Sequence, residues 1–216
     1  MDTKRRRMMK FHTVPDGYTE IEYIQRTGLE GTAGIISTGY TIDTTKTSVY
    51  EIGIMPTAIQ NDNYAYPIAC RQAAGSDTFG YGIYVVKNVT SLASYNGSSA
   101  LIQPNGGAAF TNMKLDLVSS WYPTGTSITD GINSDAVTAE PRSIYGNITL
   151  FGLHKTNGKL GSIFIGNIYY VRIYENNVLK VDMIPCRRLA DSKIGFYDLV
   201  ADTFRIATNY TAGPDI

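Results

Sequence analysis

The sequence predicts an all-β protein, an antiparallel sandwich or barrel. Three observations carry that expectation. About fourteen short stretches read as strands, several with apolar and polar residues alternating with a period of two, and no stretch of ten or more residues keeps a helical period. The gaps between them hold Asn-Gly, Gly-Gly, Pro-Thr-Gly and Asn-Asn, the residues of hairpins and tight turns. The 216 residues also include 16 Tyr and 21 Gly, with frequent Thr and Ser and few strong helix formers.

Residues 1–16 read as an arm rather than a strand. Lys4, Arg5, Arg6, Arg7 and Lys10 crowd its start, and it closes on the turn residues Pro15-Asp16-Gly17. Without an apolar face of its own, such a segment is expected to take up structure only on a partner. The following FHTVPDGYTE stretch lacks the apolar run of an export signal, and none is expected. No 18-residue apolar run suggests a membrane-spanning helix. We divide the chain into this arm and one domain over 17–216.

Within the domain, TEIEYIQR begins the alternation, followed by IISTGY (35–40) and TSVYEIGIM (47–55). In the latter, Val49, Glu51, Gly53 and Met55 share one face, opposite Tyr50, Ile52 and Ile54. The next expected strands cover 65–70, 80–86, 91–95, 100–103 and 113–120, then 126–130, 136–140 and 147–153. The strongest turns fall at Asn105-Gly106-Gly107 and Asn157-Gly158. The stretch 162–176 does not hold one period throughout, which suggests a kink or bulge near Gly166. Beyond it Tyr169, Val171 and Ile173 alternate with Tyr170, Arg172 and Tyr174, and Asn176-Asn177 reverses the chain into VLKVDMIP. Pro185 has no N–H for a ladder and is expected to end that strand. KIGFYDLV (193–200) and TFRIAT (203–208) complete the set.

The C-terminal elements carry a resemblance. GNIYYVRIY (Gly166 to Tyr174), LKVDMIPC (Leu179 to Cys186) and GFYDLVADTF (Gly195 to Phe204) resemble the closing strands of concanavalin A-like, laminin G-like modules of gut-bacterial, prophage and phage proteins. EYIQRTGLEGTAGIISTGY, residues 22–40, is similar to the opening strands of the same modules, while 60–140 matches only in being β-rich. The resemblance implies an antiparallel two-sheet jelly-roll sandwich with its first and last strands adjacent. Tyr197 and Asp198 are then expected to bind the backbone of the bordering turn, a structural role rather than a chemical one.

Several function classes find no support in the residues. Lys plus Arg and Asp plus Glu are 19 each, so no general attraction to nucleic acid or membrane is expected. Glycoside hydrolases of this architecture place carboxylates at alternate positions of one strand; only Glu20 and Glu22 come close, in a strand that reads as a solvated face. His12 and His154 are isolated, and neither a nucleophile elbow nor a phosphate-binding glycine loop is present. Cys70 and Cys186 read as small buried apolar residues, with one disulfide as the alternative. No cofactor is expected; Asn61-Asp62-Asn63 and the loop from Asp130 to Asp135 are the candidates for a structural calcium, and no metal ligand is assigned.

What remains is binding. Aromatic side chains beside amides suit sugars, and Trp121, Tyr122, Tyr95 and Asn96 are the leading candidates, with Tyr64 and Tyr66 alongside. Trp121 leads because it is the single tryptophan and precedes the Pro123-Thr124-Gly125 loop. The resulting expectation is a non-enzymatic accessory or attachment protein of a phage virion. Lys4, Arg5, Arg6, Arg7 and Lys10 would dock on other virion proteins, and the domain would face outward toward glycans within an oligomeric assembly. The alternative is a bacterial surface or secreted carbohydrate-binding module.

Overall fold

A computed structural model describes residues 14–28, 34–58, 64–70, 81–95, 98–139, 145–154 and 160–216. The arm cations, Asn96, His12, the Asn61-Asp62-Asn63 loop and the Asn157-Gly158 turn lie outside these residues.

The strands follow the alternating stretches. In chain order they are β1 (Tyr18–Glu20), β2 (Ile24–Arg26), β3 (Ile36–Asp43), β4 (Ser48–Pro56), β5 (Tyr64–Cys70), β6 (Tyr81–Val86), β7 (Leu92–Tyr95) and β8 (Ser99–Ile102). There follow β9 (Leu115–Tyr122), β10 (Gly125–Thr129), β11 (Ser134–Thr138), β12 (Tyr145–Leu150), β13 (Leu153–His154) and β14 (Leu160–Gly161). The last are β15 (Gly166–Glu175), β16 (Val178–Arg188), β17 (Ile194–Asp198), β18 (Thr203–Ile206) and β19 (Thr211–Ala212). One short 3-10 turn, Lys87–Val89, is the sole helical element among the described residues.

Two antiparallel sheets face each other. The larger runs β11-β10-β9-β4-β15-β16-β17-β18, with β1 added to β16, and β2 and β19 added to β15. The smaller runs β3-β12-β5-β6-β7-β8. The chain passes repeatedly between them: β4 pairs with β9 although four strands of the other sheet separate them in sequence, and β12 inserts between β3 and β5. Ile52, Leu117 and Val171 from one sheet meet Ile68, Ile83 and Ile148 from the other, all with no exposed surface. This is the sandwich the alternation predicts, with one face of each sheet turned to the shared core.

The chain ends meet as expected. Ala212 pairs with Ile24, Ile21 bridges Asp215, and the Gly213 amide donates to the Tyr23 carbonyl (2.9 Å). Arg26 is buried beside them; it donates to the Gly28 and Gly34 carbonyls (3.2 Å each) and to the Tyr210 hydroxyl (3.3 Å).

The structure corrects three details. TEIEYIQR is not one strand, because the chain steps at Ile21 from β16 to β15, giving β1 and β2. The irregularity expected near Gly166 lies just after it, as a register shift against β4 between Ile168 and Tyr170. Pro185 does not end its strand, and β16 runs on to Arg188. Its carbonyl points away from β17, toward the Ile21 amide (3.0 Å). The missing N–H therefore falls where β1 has ended, and no bond to β17 is lost.

The turn chemistry holds. Asn176 and Asn177 sit at φ 47° and 66°, as a two-residue hairpin turn requires. Asp198 accepts bonds from the amides of Val200 (3.0 Å), Ala201 (3.4 Å) and Asp182 (3.2 Å), the structural role expected of it. Tyr197 differs: its hydroxyl binds the Asp202 carboxylate rather than a backbone group. Cys70 and Cys186 are both free and buried, one between the sheets and one on the outer side of the larger sheet, and the disulfide alternative is not formed.

Candidate functional site

Alternation along β5, β6, β7 and β8 sends Ile83, Val85, Leu92, Ala100 and Ile102 into the core, and leaves tyrosines on the other side. Register fixes which residues share that outer face. Tyr64 stands opposite Val86, Gly82 opposite Tyr95, Tyr84 opposite Ala93, and Tyr95 opposite Ser99.

Tyr84 is the centre of the group. Its ring makes an edge-on contact with Tyr64 (centroids 4.9 Å apart, 72° between planes) and a tilted one with Tyr66 (5.5 Å). Its hydroxyl shares a 2.9 Å hydrogen bond with the Ser99 hydroxyl on β8. Burial pushes that hydroxyl above the ordinary tyrosine range, so it stays neutral and able to donate. Tyr66 lies across Gly82, where a Cβ would sit 2.6 Å from the ring, so only glycine leaves room for it. Tyr64 is 44% exposed and Leu101 42%, whereas Tyr84 is nearly covered. The outcome is a rigid aromatic layer with Tyr64 at its accessible edge and hydroxyls beside it.

The four leading sequence candidates do not converge. Trp121 is 1% exposed, with its ring 3.8 Å from that of Tyr50, and its Nε1–H donates to the Ser94 hydroxyl (2.9 Å). A ring packed between the sheets offers no platform to a ligand, which corrects the assignment of Trp121. Tyr122 is half-exposed on the outer side of the larger sheet. Tyr95 lies on the opposite side of the molecule, on the outer face of the smaller sheet. Tyr64 and Tyr66 do join Tyr95 there, and Tyr84, which sequence reasoning passed over, links them. The available signal was its phase: in GYGIYVV, Tyr84 alternates with the core residues Ile83 and Val85.

The outer side of the larger sheet is different in kind. Arg172 sits between Glu51 (3.7 Å) and Asp182 (3.0 Å), its cross-strand neighbours, and the Tyr170 hydroxyl reaches across Gly53 to Asp116 (2.9 Å). These polar groups satisfy one another. The carboxylates of Asp130 and Asp135 are likewise occupied by backbone amides. Asp130 accepts from Ile132 (2.9 Å) and Asn133 (2.6 Å), and Asp135 from Leu101 (2.7 Å) and Ala136 (2.9 Å). Among the described residues no three His, Cys, Asp or Glu side chains gather as a metal site would require. No helix among them is long and apolar enough to cross a membrane.

Comparison with solved structures settles the architecture. A heptameric SAP-like pentraxin from Limulus polyphemus superposes with a TM-score of 0.57 over 91% of this chain and 96% of its own, at 9% identity. Domains LG4-5 of the mouse laminin alpha1 chain give 0.53 over 74% of this chain and 44% of theirs, at 16% identity. The CBM40 of Ruminococcus gnavus IT-sialidase, bound to alpha2,3 sialyllactose, gives 0.50 over 69% of this chain and 90% of its own, at 10% identity. The fold is a concanavalin A-like, laminin G-like jelly roll. No family model matches the chain, and no curated protein matches it in sequence. The likeness therefore establishes shape alone.

Proposed function

We propose that this chain is a non-enzymatic glycan-binding module that meets its ligand on the tyrosine-bearing face of the smaller sheet. One observation carries the reading: Tyr64, Tyr66, Tyr84 and Tyr95 gather on the side of β5–β7 that faces away from the core. Packing between the sheets does not require aromatic residues there. Tyrosine offers a sugar an apolar ring face and a hydroxyl on a side chain with little freedom to lose. The Ruminococcus gnavus IT-sialidase CBM40, a jelly roll of this shape, is bound to alpha2,3 sialyllactose, which supports the reading. A glycan array probed with the native protein and with Tyr64→Ala/Tyr66→Ala tests it. Signal from the native protein that falls at least about fivefold in the variant, roughly one lost stacking contact per ring, is expected. A silent native protein, or an unchanged variant, refutes it.

We further propose that the module belongs to a phage particle, where Lys4, Arg5, Arg6, Arg7 and Lys10 dock it on other virion proteins within an oligomeric assembly. The phage-like tail motif and the basic arm support this. The fold adds a geometric reason: Val14 packs on Ile184, Cys186 and Tyr197 at the outer side of the larger sheet. Val14 itself therefore stands on the side of the domain opposite the tyrosine face. Deleting residues 1–13 should abolish incorporation into particles while preserving the fold. Full incorporation of the truncated chain would instead favour a bacterial surface or secreted module.

A further inference from the structure

We infer that the ligand of the tyrosine face is an uncharged oligosaccharide and that acidic sugars are discriminated against, an inference that rests on the glycan-binding function proposed above. The two outer faces of the sandwich carry opposite chemistry. That of the larger sheet displays Glu51, Asp116, Arg172 and Asp182 in a cross-strand network. Across all six strands of the smaller sheet, the only residue with a formal charge is Asp43, at the far end of β3. Asp43 is engaged with its own turn, by the Thr45 amide (3.1 Å) and hydroxyl (2.7 Å) and by Lys46 (3.3 Å).

The other described residues of these strands are neutral and rich in groups that bind hydroxyls. Ser37, Thr41, Asn147 and Thr149 stand on the same side of β3 and β12, and Thr41 donates to the Asn147 amide oxygen (2.8 Å). The tyrosines occupy the neighbouring strands. Tyr64 and Tyr66 on β5 and Tyr95 on β7 are two strand spacings apart, about 10 Å. A single sugar ring does not cover both, so a chain of sugars is the fitting ligand.

Among the described residues charges reach both edges of this sheet, and at the β3 edge the Arg205 guanidinium lies against Gly39. At the β8 edge the Asp135 carboxylate is fixed on the Leu101 amide at 2.7 Å. An acidic sugar laid on the tyrosines would lose water from its carboxylate with no guanidinium or ammonium among the described residues of these strands to replace it. A neutral sugar meets no such penalty. Rejection of the acidic analogue by an unpaired charge is a common way for a site to be selective.

The experiment is a titration of the full chain with matched pairs. N-acetyllactosamine is compared with its sialylated form, and xylo-oligosaccharides with the same chains bearing glucuronic acid, at low ionic strength where charge effects are largest. Neutral members are expected to bind at least about tenfold more tightly than their acidic partners, with affinity insensitive to added salt. Leu101→Lys, which places a cation at the exposed edge, should narrow the gap. Acidic members binding as well as or better than neutral ones overturn this inference and leave glycan binding standing. Silence toward every glycan overturns glycan binding itself, and this inference with it.

Discussion

Ser94 gathers polar contacts between the two sheets. It lies on β7 of the smaller sheet with no exposed surface. Three groups of the larger sheet converge on its hydroxyl: Ser119 Oγ (2.6 Å), Thr126 Oγ1 (2.6 Å) and Trp121 Nε1 (2.9 Å). The proton directions follow from the partners. Trp121 can only donate, and Thr126 gives its proton to the Ser120 carbonyl (3.1 Å), so it accepts from Ser94. Ser119 is left to donate to Ser94. One donor and two acceptor sites are then all used, which saturates a hydroxyl.

Ser94→Ala removes one oxygen and strips two buried donors, Trp121 Nε1–H and Ser119 Oγ–H, of this acceptor. At about 1–3 kcal/mol for each of the two stranded groups, the loss is about 2–6 kcal/mol, a large part of a typical folding free energy of about 5–15 kcal/mol. Urea unfolding followed by circular dichroism measures it. Trp121→Phe in the Ser94→Ala background removes one stranded donor, so the double variant should lose less than the sum of the singles, with a coupling of about 1 kcal/mol. A Ser94→Ala loss below about 0.5 kcal/mol, or strict additivity, would refute the reasoning.

Other outcomes follow from the same geometry. Asp198→Ala leaves three amide donors without their acceptor and should lower stability by about 3 kcal/mol by the same urea assay. Gly82→Ala should weaken glycan binding by lifting the Tyr66 ring, since the new Cβ would stand 2.6 Å from it; unchanged affinity with an intact fold would remove Tyr66 from the site. Burial pushes both thiols up to about 12, with Cys186 raised further by Glu20 and lowered by the Tyr197 amide. Neither cysteine should react with a thiol reagent at pH 8 until urea is added. Because these folded values lie above the ordinary 9.0, the stabilisation from keeping the thiols neutral is complete below pH 9 and is lost as pH rises toward 12. Unfolding free energy should fall over that range, and less so in Cys70→Ala/Cys186→Ala.

What could be read from the sequence follows the reach of each signal. β15 to β18 were legible because the alternation from Tyr169 on, an Asn-Asn reversal and the Asp198 turn point to the same strands. The break in TEIEYIQR was not, because it depends on β16 and β15 each offering an edge to the same short segment. Pro185 misled because the missing N–H matters only on the side where a neighbouring strand continues. Trp121 misled for a related reason. Period-two alternation says that Trp121 and Tyr122 face opposite ways, but not which of them faces the core. A loop neighbour favoured exposure, whereas the partner across the sandwich, Ser94, decided for burial. The tyrosine face was half legible: Tyr64, Tyr66 and Tyr95 were marked individually, and only strand order brings them together around Tyr84.

The central claim is that ligand lies on the smaller sheet. Backbone amide resonances recorded during titration with a neutral oligosaccharide test it most directly. The account predicts shifts clustered at Tyr64, Tyr66, Tyr84, Tyr95 and Ser99, with Glu51, Arg172 and Asp182 unmoved. Shifts centred on those three residues, or on Tyr122, with the tyrosine face silent, would contradict it.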